Sequence, residues 1–204
     1  MFVAIEGIEG SGKSTLLAEL AERLRSEGLD VLATREPGGT PVGDAVRDVF
    51  LNRALAIAPL TESMLVSAAR AQHVVDVIRP ALGAGRFVLC DRFTDSTLAY
   101  QGYGRRVRRD VLRALCEMAS DGLQPDFVLV VDLPVAVARE RLRARSTGMD
   151  RIENEDDGFH ERVRQGFLEL ATSPRHRVLD GTLAPEQLAA LAMDEIRARR
   201  GAPR

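Results

Sequence analysis

The amino-acid sequence predicts an α/β protein in which a parallel β-sheet is covered by helices on both faces. Short, continuously apolar runs alternate with longer segments whose apolar residues recur at helical spacing. Continuous apolar runs are typical of strands buried on both faces, as in a parallel sheet. The chain has 204 residues, the size of one ordinary domain, and we expect a single domain over residues 1–204.

Five apolar runs predict a five-stranded parallel sheet. In chain order they are Phe2–Ile5, Val31–Ala33, Phe87–Cys90, Phe127–Val131 and, with the weakest apolar signal, Val178–Leu179. The helices are predicted at Leu16–Leu24, Asp44–Leu51, Glu62–Ile78, Asp110–Ala119, Val135–Arg145, Asp157–Leu170 and Pro185–Arg199. Because ligands of such sheets bind beyond the carboxyl ends of the strands, we expect the polar segments 6–15, 34–39, 91–101 and 180–182 to converge.

A glycine-rich segment follows the first predicted strand. It reads Gly-Ile-Glu-Gly-Ser-Gly-Lys-Ser-Thr and fits the phosphate-binding pattern G-x-x-x-x-G-K-[ST]. Its glycines let the backbone approach a phosphate, and the next helix adds partial positive charge at its N-terminus. A turn without a ligand is the alternative, which the flanking strand and helix disfavour. We therefore predict the three-layer α/β/α fold of P-loop NTPases, with the phosphates of a nucleotide held by Gly7, Ile8, Glu9, Gly10, Ser11, Gly12, Lys13, Ser14 and Thr15.

Lys13 is the only lysine in the chain, since the other 27 of its 28 basic residues are arginine. Arginine therefore stands wherever positive charge alone is needed. A compact ammonium and a planar guanidinium are not interchangeable at a phosphate site. This usage indicates that Lys13 has a specific role, and we assign it to catalysis.

Asp91 directly follows the third predicted strand, where nucleotide-binding sheets place a carboxylate that holds Mg²⁺. We predict that Asp91 and the hydroxyl of Ser14 form the metal site. The alternative is an aspartate that caps the next turn. Arg92 follows at the same edge, where a guanidinium suits bidentate recognition of phosphate.

An arginine-rich lid is predicted at residues 141–152. Its members Arg141, Arg143, Arg145 and Arg151 surround the polar stretch Ser146–Asp150. Because the variable positions of the glycine-rich loop contain no arginine, the charge of a phosphoryl-transfer transition state must be neutralised from elsewhere. A solvated basic face is the alternative interpretation.

Composition argues against other classes of protein. The net charge is −2 and the pI about 6.0, so there is no global electrostatic case for binding nucleic acid or a membrane. The basic run 105–109 lacks aromatic residues for base stacking, and we interpret it as a surface loop. The first apolar run is too short for a signal peptide or a membrane span. Two cysteines and three histidines show no metal-ligand spacing, and we expect a cytoplasmic protein with reduced thiols.

Several longer segments resemble bacterial thymidylate kinase. They are Arg35-Glu36-Pro37-Gly38-Gly39-Thr40, Ala68-Ala69-Arg70, the long stretch Asp91–Gly102 (DRFTDSTLAYQG) and Asp150-Arg151-Ile152-Glu153. The resemblance runs in order from Met1 to about Leu170. It implies transfer of the γ-phosphoryl group of MgATP to dTMP by a cytoplasmic homodimer.

The resemblance also implies roles for individual residues. Lys13 spans the transferring phosphoryl group, Arg92 grips the phosphate of dTMP with help from Arg35, and Arg145 is the first choice for catalytic charge, supported by Arg141, Arg143 and Arg151. The dTMP site comprises Glu9, Arg35, Pro37, Val66, Arg70, Arg92, Thr97, Tyr100 and Gln101. Where compared members stack a phenylalanine on thymine, this chain has Val66, so the contact becomes aliphatic.

Two alternatives to a dTMP kinase were weighed. A related kinase acting on another nucleotide or metabolite is disfavoured by the long segment Asp91–Gly102. A GTPase-like switch needs a guanine-selecting Asn-Lys-x-Asp segment, and a chain whose single lysine is Lys13 cannot supply one.

Overall fold

The computed structural model describes residues 1–145 and 148–201 and shows three layers, with helices on both faces of one sheet. The sheet contains five parallel strands in the order β2-β3-β1-β4-β5. The strands are β1 (Phe2–Glu6), β2 (Val31–Arg35), β3 (Phe87–Asp91), β4 (Phe127–Asp132) and β5 (His176–Asp180). All five predicted strands are confirmed, and each extends to a charged residue at its carboxyl end.

The helices pack on the two faces of this sheet. They are α1 (Lys13–Ser26), α2 (Pro41–Leu51), α3 (Pro59–His73), α4 (Arg79–Gly83), α5 (Thr94–Thr97), α6 (Arg109–Ser120), α7 (Val135–Arg143), α8 (Asp157–Leu170) and α9 (Pro185–Gly201). Two π-helical turns, Val74–Ile78 and Leu98–Gly104, continue α3 and α5. In the part of the chain described, no helix is long and apolar enough to cross a lipid bilayer.

Alternation along the central strand β1 divides the core into two layers. Val3 and Ile5 point toward α1 and α9, where they join residues such as Leu20 and Ile196. Phe2 and Ala4 point to the other face, toward Phe93, Val66 and α8. Because β1 is buried on both faces, the loop that follows it is held in place from both sides.

Two segments have local structure that the sequence pattern did not indicate. The polar segment after β3 forms α5 and the turn Leu98–Gly104. Its sequence has little helical periodicity, and its conformation depends on tertiary contacts, with Tyr100 packed edge-on against Phe167. In the predicted surface loop 105–109, the Arg105 side chain is only 17% exposed and pairs with Glu62 and Glu155. Ser146 and Thr147 of the predicted lid lie outside the described residues.

The turn Leu98–Gly104 packs so closely on α8 that it requires glycine at one position. A Cβ atom at Gly104 would lie 2.6 Å from Cε2 of Phe159 and 2.9 Å from Cγ2 of Val163, both buried residues. Gly104→Ala is therefore expected to lower the free energy of unfolding by about 1–3 kcal/mol through overpacking. Urea denaturation followed by circular dichroism measures this loss.

Gly83→Ala is the matched control. A Cβ atom at Gly83 meets nothing within 4 Å, and the residue ends the short helix α4. Since alanine is the better helix former by up to about 1 kcal/mol, this variant is expected to be as stable as the parent or slightly more so. Equal stability of the two variants would contradict the close packing inferred at Gly104.

Candidate active site

Three glycines of the loop after β1, Gly7, Gly10 and Gly12, have positive φ angles, and two of them also leave no room for a side chain. Gly7 and Gly10 have φ angles of 140° and 75°. A Cβ atom at Gly7 would lie 2.4 Å from the carbonyl oxygen of Val131, and one at Gly10 would lie 2.7 Å from that of Ala138. The loop therefore lies directly against β4 and α7, and it delivers Lys13 to the first residue of α1.

Lys13 lies within this loop as a buried cation. Its Nζ donates to the carbonyl oxygen of Ile8 at 2.7 Å and approaches Oγ of Ser11 at 3.5 Å. Burial and, to a smaller extent, the neighbouring charge of Arg92 lower the pKa of Lys13 to about 8. An anion bound at the loop would stabilise the protonated ammonium.

Ser14 and Asp91 meet at the end of the sheet. The hydroxyl of Ser14 donates to Oδ2 of Asp91 at 2.8 Å. The other carboxylate oxygen, Oδ1, is buried and has no hydrogen-bond partner among the described residues. A carboxylate oxygen beside a hydroxyl is the donor set that a hard divalent cation prefers, so these residues fit a magnesium site.

Two cavities meet at the loop. The first cavity extends along β2, α2, α3 and the segment after β3, and its lining contains all nine residues predicted to bind dTMP. The second cavity lies on the other side of α1, between α7 and the segment after β5. Four residues line both cavities: Gly10, Lys13, Ser14 and Arg145. The junction thus contains the buried ammonium of Lys13, the hydroxyl of Ser14 and the long guanidinium side chain of Arg145.

Arg92 is fixed in the wall of the first cavity by four hydrogen bonds. Its guanidinium donates to the carbonyl oxygen of Gly7 at 2.9 Å, Oγ of Ser96 at 3.1 Å, Oε1 of Glu9 at 2.8 Å and the hydroxyl of Tyr100 at 3.1 Å. It also lies over the ring of Tyr100, 4.9 Å from the centroid. These contacts leave the Nε–H group for a ligand.

Glu9 is held beside Arg92 as a carboxylate. Its Oε1 accepts from the hydroxyl of Tyr100 at 2.6 Å as well as from Arg92. Burial acts to raise the pKa of Glu9, but Arg92, Lys13 and the Tyr100 hydroxyl together lower it below its usual value. Its Oε2 is buried without a hydrogen-bond partner among the residues described, and His160 lies 3.6 Å away. This oxygen therefore keeps its capacity to accept a hydrogen bond.

The far end of the first cavity is built from α3 and the segment after β3. Val66 is 8% exposed and belongs to the core layer on this face. Arg70 donates to Oε2 of Glu36 at 2.7 Å, Oγ1 of Thr97 at 3.0 Å and the carbonyl oxygen of Phe93 at 2.9 Å. Apolar and donor groups therefore face each other here, as the flat ring and polar edge of a nucleobase require.

Arg47 also lines the first cavity and was not predicted. It donates to the carbonyl oxygen of Pro37 at 3.0 Å. Burial lowers its pKa, and the charges of Arg35 and Arg92 lower it further. The signal was present in the sequence, because Gly43, Arg47 and Phe50 share the inner face of α2 at helical spacing. Other lining residues that were missed are Glu36, Phe50, Leu51, Ser96, Asp150, Ile152 and Glu153.

The four lid arginines occupy different environments. Arg145 lines both cavities and pairs with Oε1 of Glu153 at 2.5 Å, whereas Arg141 lines the second cavity and donates to the carbonyl oxygen of Gly181 at 3.0 Å. Arg143 is exposed, and neither it nor Arg151 lines these cavities. Arg151 donates instead to the carbonyl oxygen of Phe50.

Glu62 connects the lid to the first cavity. This carboxylate is fully buried and accepts from Arg151 at 2.5 Å, from Arg105 at 3.1 Å and from the amide of Gln101 at 3.2 Å. Sequence periodicity placed Glu62 at a helix start and gave no sign of this burial. Through it, a residue of the cavity wall and a residue of the lid share one anionic partner.

Comparisons with known proteins agree with this geometry. The model of the family described as thymidylate kinase matches residues 5–191. The chain is similar to a thymidylate kinase of Trichlorobacter lovleyi, with 45% identity over 211 residues and 100% of both chains covered. It is 47% identical over 201 residues to that of Geobacter sulfurreducens, covering 95% of this chain and 94% of the relative. The crystal structure of thymidylate kinase from Ehrlichia chaffeensis superposes with a TM-score of 0.77 at 32% identity, covering 96% of this chain and 98% of the other.

Proposed function

The chain belongs to the thymidylate kinase family, and we propose how its residues transfer the γ-phosphoryl group of ATP to dTMP. As a member of this family it is a nucleoside monophosphate kinase that acts on dTMP. The junction of the two cavities at Lys13, Ser14 and Arg145 carries the assignment. Phosphoryl transfer needs the attacking and leaving oxygens close together and roughly in line, and two cavities that meet at shared residues support such an approach of donor and acceptor.

The first cavity is assigned to dTMP. Arg92, Arg35 and Arg47 surround its phosphate. Arg92 already pairs with Glu9, and Arg35 lies 3.6 Å from Asp44. The phosphate therefore adds a second anionic partner for these two and, among the described residues, the first for Arg47. The free Oε2 of Glu9 accepts from the 3′-hydroxyl, Tyr100 stands beside the sugar and Pro37 packs on it. The base lies among Val66, Arg70, Thr97 and Gln101.

The second cavity is assigned to ATP. The backbone of Gly7–Thr15 and the N-terminus of α1 bind its phosphates, and Lys13 reaches the transferring group. Ser14 and Asp91 hold Mg²⁺, which in such enzymes neutralises phosphate charge as it shifts during transfer. Arg141, bonded to Gly181, stands on the ATP side of the lid.

Catalytic charge is assigned first to Arg145, because it borders both cavities. Arg141, which lines the second cavity, supports it, and Arg151 acts by holding the lid against Glu62 and Phe50. Arg143, which lines neither cavity, is the weakest of the four candidates. We propose that residues 1–204 work as a single domain with the lid at 141–152. A kinase for another nucleotide remains the alternative. The test is the rate of ADP release from MgATP with dTMP, dUMP, UMP, CMP, AMP or GMP offered separately as the acceptor. The rate with dTMP should be clearly the highest, and a higher rate with another nucleotide would overturn the assignment of the acceptor.

A homodimer in the cytoplasm is the proposed working form. Large apolar side chains lie exposed on neighbouring helices α2, α3 and α6, namely Val42, Val49, Leu60, Met64 and Met118. Burial of such a surface against a second copy is the usual reason for its persistence in a protein. Free thiols at Cys90 and Cys116 agree with a reducing compartment. Sedimentation equilibrium measures the molecular mass in solution.

ATP binding is expected to depend on pH through Lys13. The pKa of this group is about 8 in the free protein, and bound phosphates raise it by favouring the charged form. ATP affinity should therefore be constant below about pH 8 and fall above it, by up to roughly tenfold per pH unit, because the neutral amine must first take up a proton. Calorimetric titration with MgATP across this range measures the fall, and the phosphates of ATP are already ionised there.

Lys13→Arg is the control, because a guanidinium does not titrate in this range. Its affinity curve should be flat, and its turnover should fall by about a hundredfold, roughly 2.7 kcal/mol of transition-state stabilisation, since the wide fork does not fit the same cradle. The same slope in both proteins would assign the dependence to another group, such as Glu6, whose pKa is also about 8.

Arg145→Ala is expected to lower kcat while the KM for dTMP stays within a few-fold. Its charge acts on the transferring phosphoryl group rather than on the acceptor, so the loss should approach that of an arginine finger, about a thousandfold at most. Steady-state kinetics measure both constants, and Arg113→Ala, an exposed arginine of α6, is the control. If Arg141→Ala, Arg143→Ala, Arg145→Ala and Arg151→Ala all retain full kcat, the lid is a solvated basic face.

Val66→Phe is expected to tighten dTMP binding. An aromatic pair adds roughly 0.5–1.5 kcal/mol beyond buried area, which is about two- to tenfold in the dissociation constant. Calorimetric titration with dTMP measures the change, and ATP affinity should stay constant. Because Val66 is 8% exposed in a packed layer, a variant with lower melting temperature and unimproved dTMP affinity would show that the ring cannot be accommodated there.

A further inference from the structure

A line of hydrogen bonds leads from strand β2 through the core to the first cavity. Oγ1 of Thr34 lies 2.7 Å from Nε2 of His73, and Nδ1 of His73 lies 3.0 Å from Oε1 of Glu36. The other oxygen of Glu36 accepts from Nε of Arg70 at 2.7 Å. His73, Glu36 and Arg70 are each at most 4% exposed. We call this line the buried chain.

The direction of each hydrogen bond in the buried chain follows from the chemistry of its ends. A carboxylate can only accept, so Nδ1 of His73 carries the hydrogen that faces Glu36. Nε2 is then free to accept from the hydroxyl of Thr34. The ring is confined on a third side, because a Cβ atom at Gly39 would lie 2.8 Å from Nε2 of His73. The imidazole is thus held in one orientation.

Glu36 depends on both of its partners. Its backbone N–H bonds to the carbonyl oxygen of Asp91, which fixes the main chain but leaves the carboxylate free to rotate. Each carboxylate oxygen has one partner, Arg70 or His73. Among the residues described, Glu36 is the only carboxylate that pairs with Arg70. Loss of the His73 contact would leave one oxygen of this carboxylate without its partner, so the carboxylate could rotate and Arg70 could move with it.

Arg70 carries the effect into the cavity. It lines the first cavity, and its guanidinium plane is set by Glu36, Thr97 and the carbonyl oxygen of Phe93. Donors in this position distinguish a base with an oxygen at ring position 4, such as thymine, from cytosine, which presents an amino group there. A small rotation of the guanidinium would weaken that distinction.

We propose that His73 is a positioning residue for the acceptor base: through Glu36 it holds the guanidinium of Arg70 in the orientation that recognises thymine. This role rests on the proposed function, in which the first cavity binds dTMP. It involves no contact between His73 and the substrate. Its signature is a change in the KM for dTMP and in base preference, with kcat retained.

Two variants separate positioning from packing. The side-chain amide of asparagine occupies the position of Nδ1 of histidine. His73→Asn therefore keeps the hydrogen bond to Glu36 and loses the one to Thr34. The longer glutamine places its amide at the position of Nε2, so His73→Gln keeps the hydrogen bond to Thr34 and loses the one to Glu36. Each variant loses one buried hydrogen bond, and their melting temperatures should fall by similar amounts.

The expected result is a difference between them in substrate recognition. His73→Gln should raise the KM for dTMP about five- to tenfold and lower the preference for dTMP over dCMP, with kcat at saturation within about twofold. His73→Asn should keep the KM near that of the parent. Should His73→Gln fail to fold, His73→Leu removes the same donor to Glu36 without adding a buried polar group, and it should also raise the KM for dTMP about five- to tenfold; an unchanged KM overturns the inference.

His176 provides a matched control. Its ring is also buried between a hydroxyl and a carboxylate, with Nδ1 2.8 Å from Oγ of Ser173 and Nε2 2.8 Å from Oδ2 of Asp95. That carboxylate does not line the first cavity. His176→Asn removes the carboxylate contact and should lower the melting temperature without changing the KM for dTMP.

The outcomes distinguish this inference from the proposed function. A parent protein that does not prefer dTMP overturns both. If the parent prefers dTMP but His73→Asn and His73→Gln raise its KM equally, or leave it unchanged, the inference alone is overturned and His73 serves only packing.

Discussion

The buried carboxyl group of Glu6 is the contact on which the rest of the site depends. It ends the central strand β1, and it accepts hydrogen bonds from the backbone N–H of Phe93 at 2.7 Å and from the hydroxyl of Ser96 at 2.5 Å. The phosphate loop begins one residue later, so this contact fixes the segment after β3 relative to that loop. The phosphate loop and the segment after β3, which form the two walls of the junction, are therefore both anchored at the side chain of Glu6.

The protonation state of Glu6 makes this burial tolerable. Burial, together with the charge of Asp95, raises its pKa to about 8. Most molecules consequently hold a neutral carboxyl group here at pH 7, which avoids an uncompensated charge in the core. A neutral Glu6 adds no negative charge beside Lys13 and Arg92, so Glu9 and Asp91 are the carboxylates that share these two cations with a bound phosphate.

The sequence predicted the parts of this structure that depend on local pattern. Continuous apolar runs predicted the five strands, which the fold confirms. The glycines of the phosphate loop, Gly7, Gly10 and Gly12, all have positive φ angles. The acceptor residues came from resemblance rather than periodicity. The burial of Glu62 and the turn Leu98–Gly104 escaped prediction, because both are set by partners 39 to 89 residues away in the chain. Their own sequence resembles a surface helix and a polar loop.

The backbone at Arg92 is strained, because this residue connects β3 to the segment that lies beside the phosphate loop. Its φ angle of 75° is unfavourable for a residue with a bulky side chain, and such a conformation costs of order 1–3 kcal/mol. Glycine at this position would relieve the backbone but would remove the guanidinium that joins Glu9, Tyr100 and the carbonyl oxygen of Gly7. Directly after Asp91 the chain reverses direction, so that the guanidinium of Arg92 can contact the phosphate loop. The left-handed backbone conformation at Arg92 accompanies that reversal. The strain is thus located where the chain turns from β3 toward the phosphate loop in the wall of the first cavity, and the hydrogen bonds of the guanidinium hold the residue there.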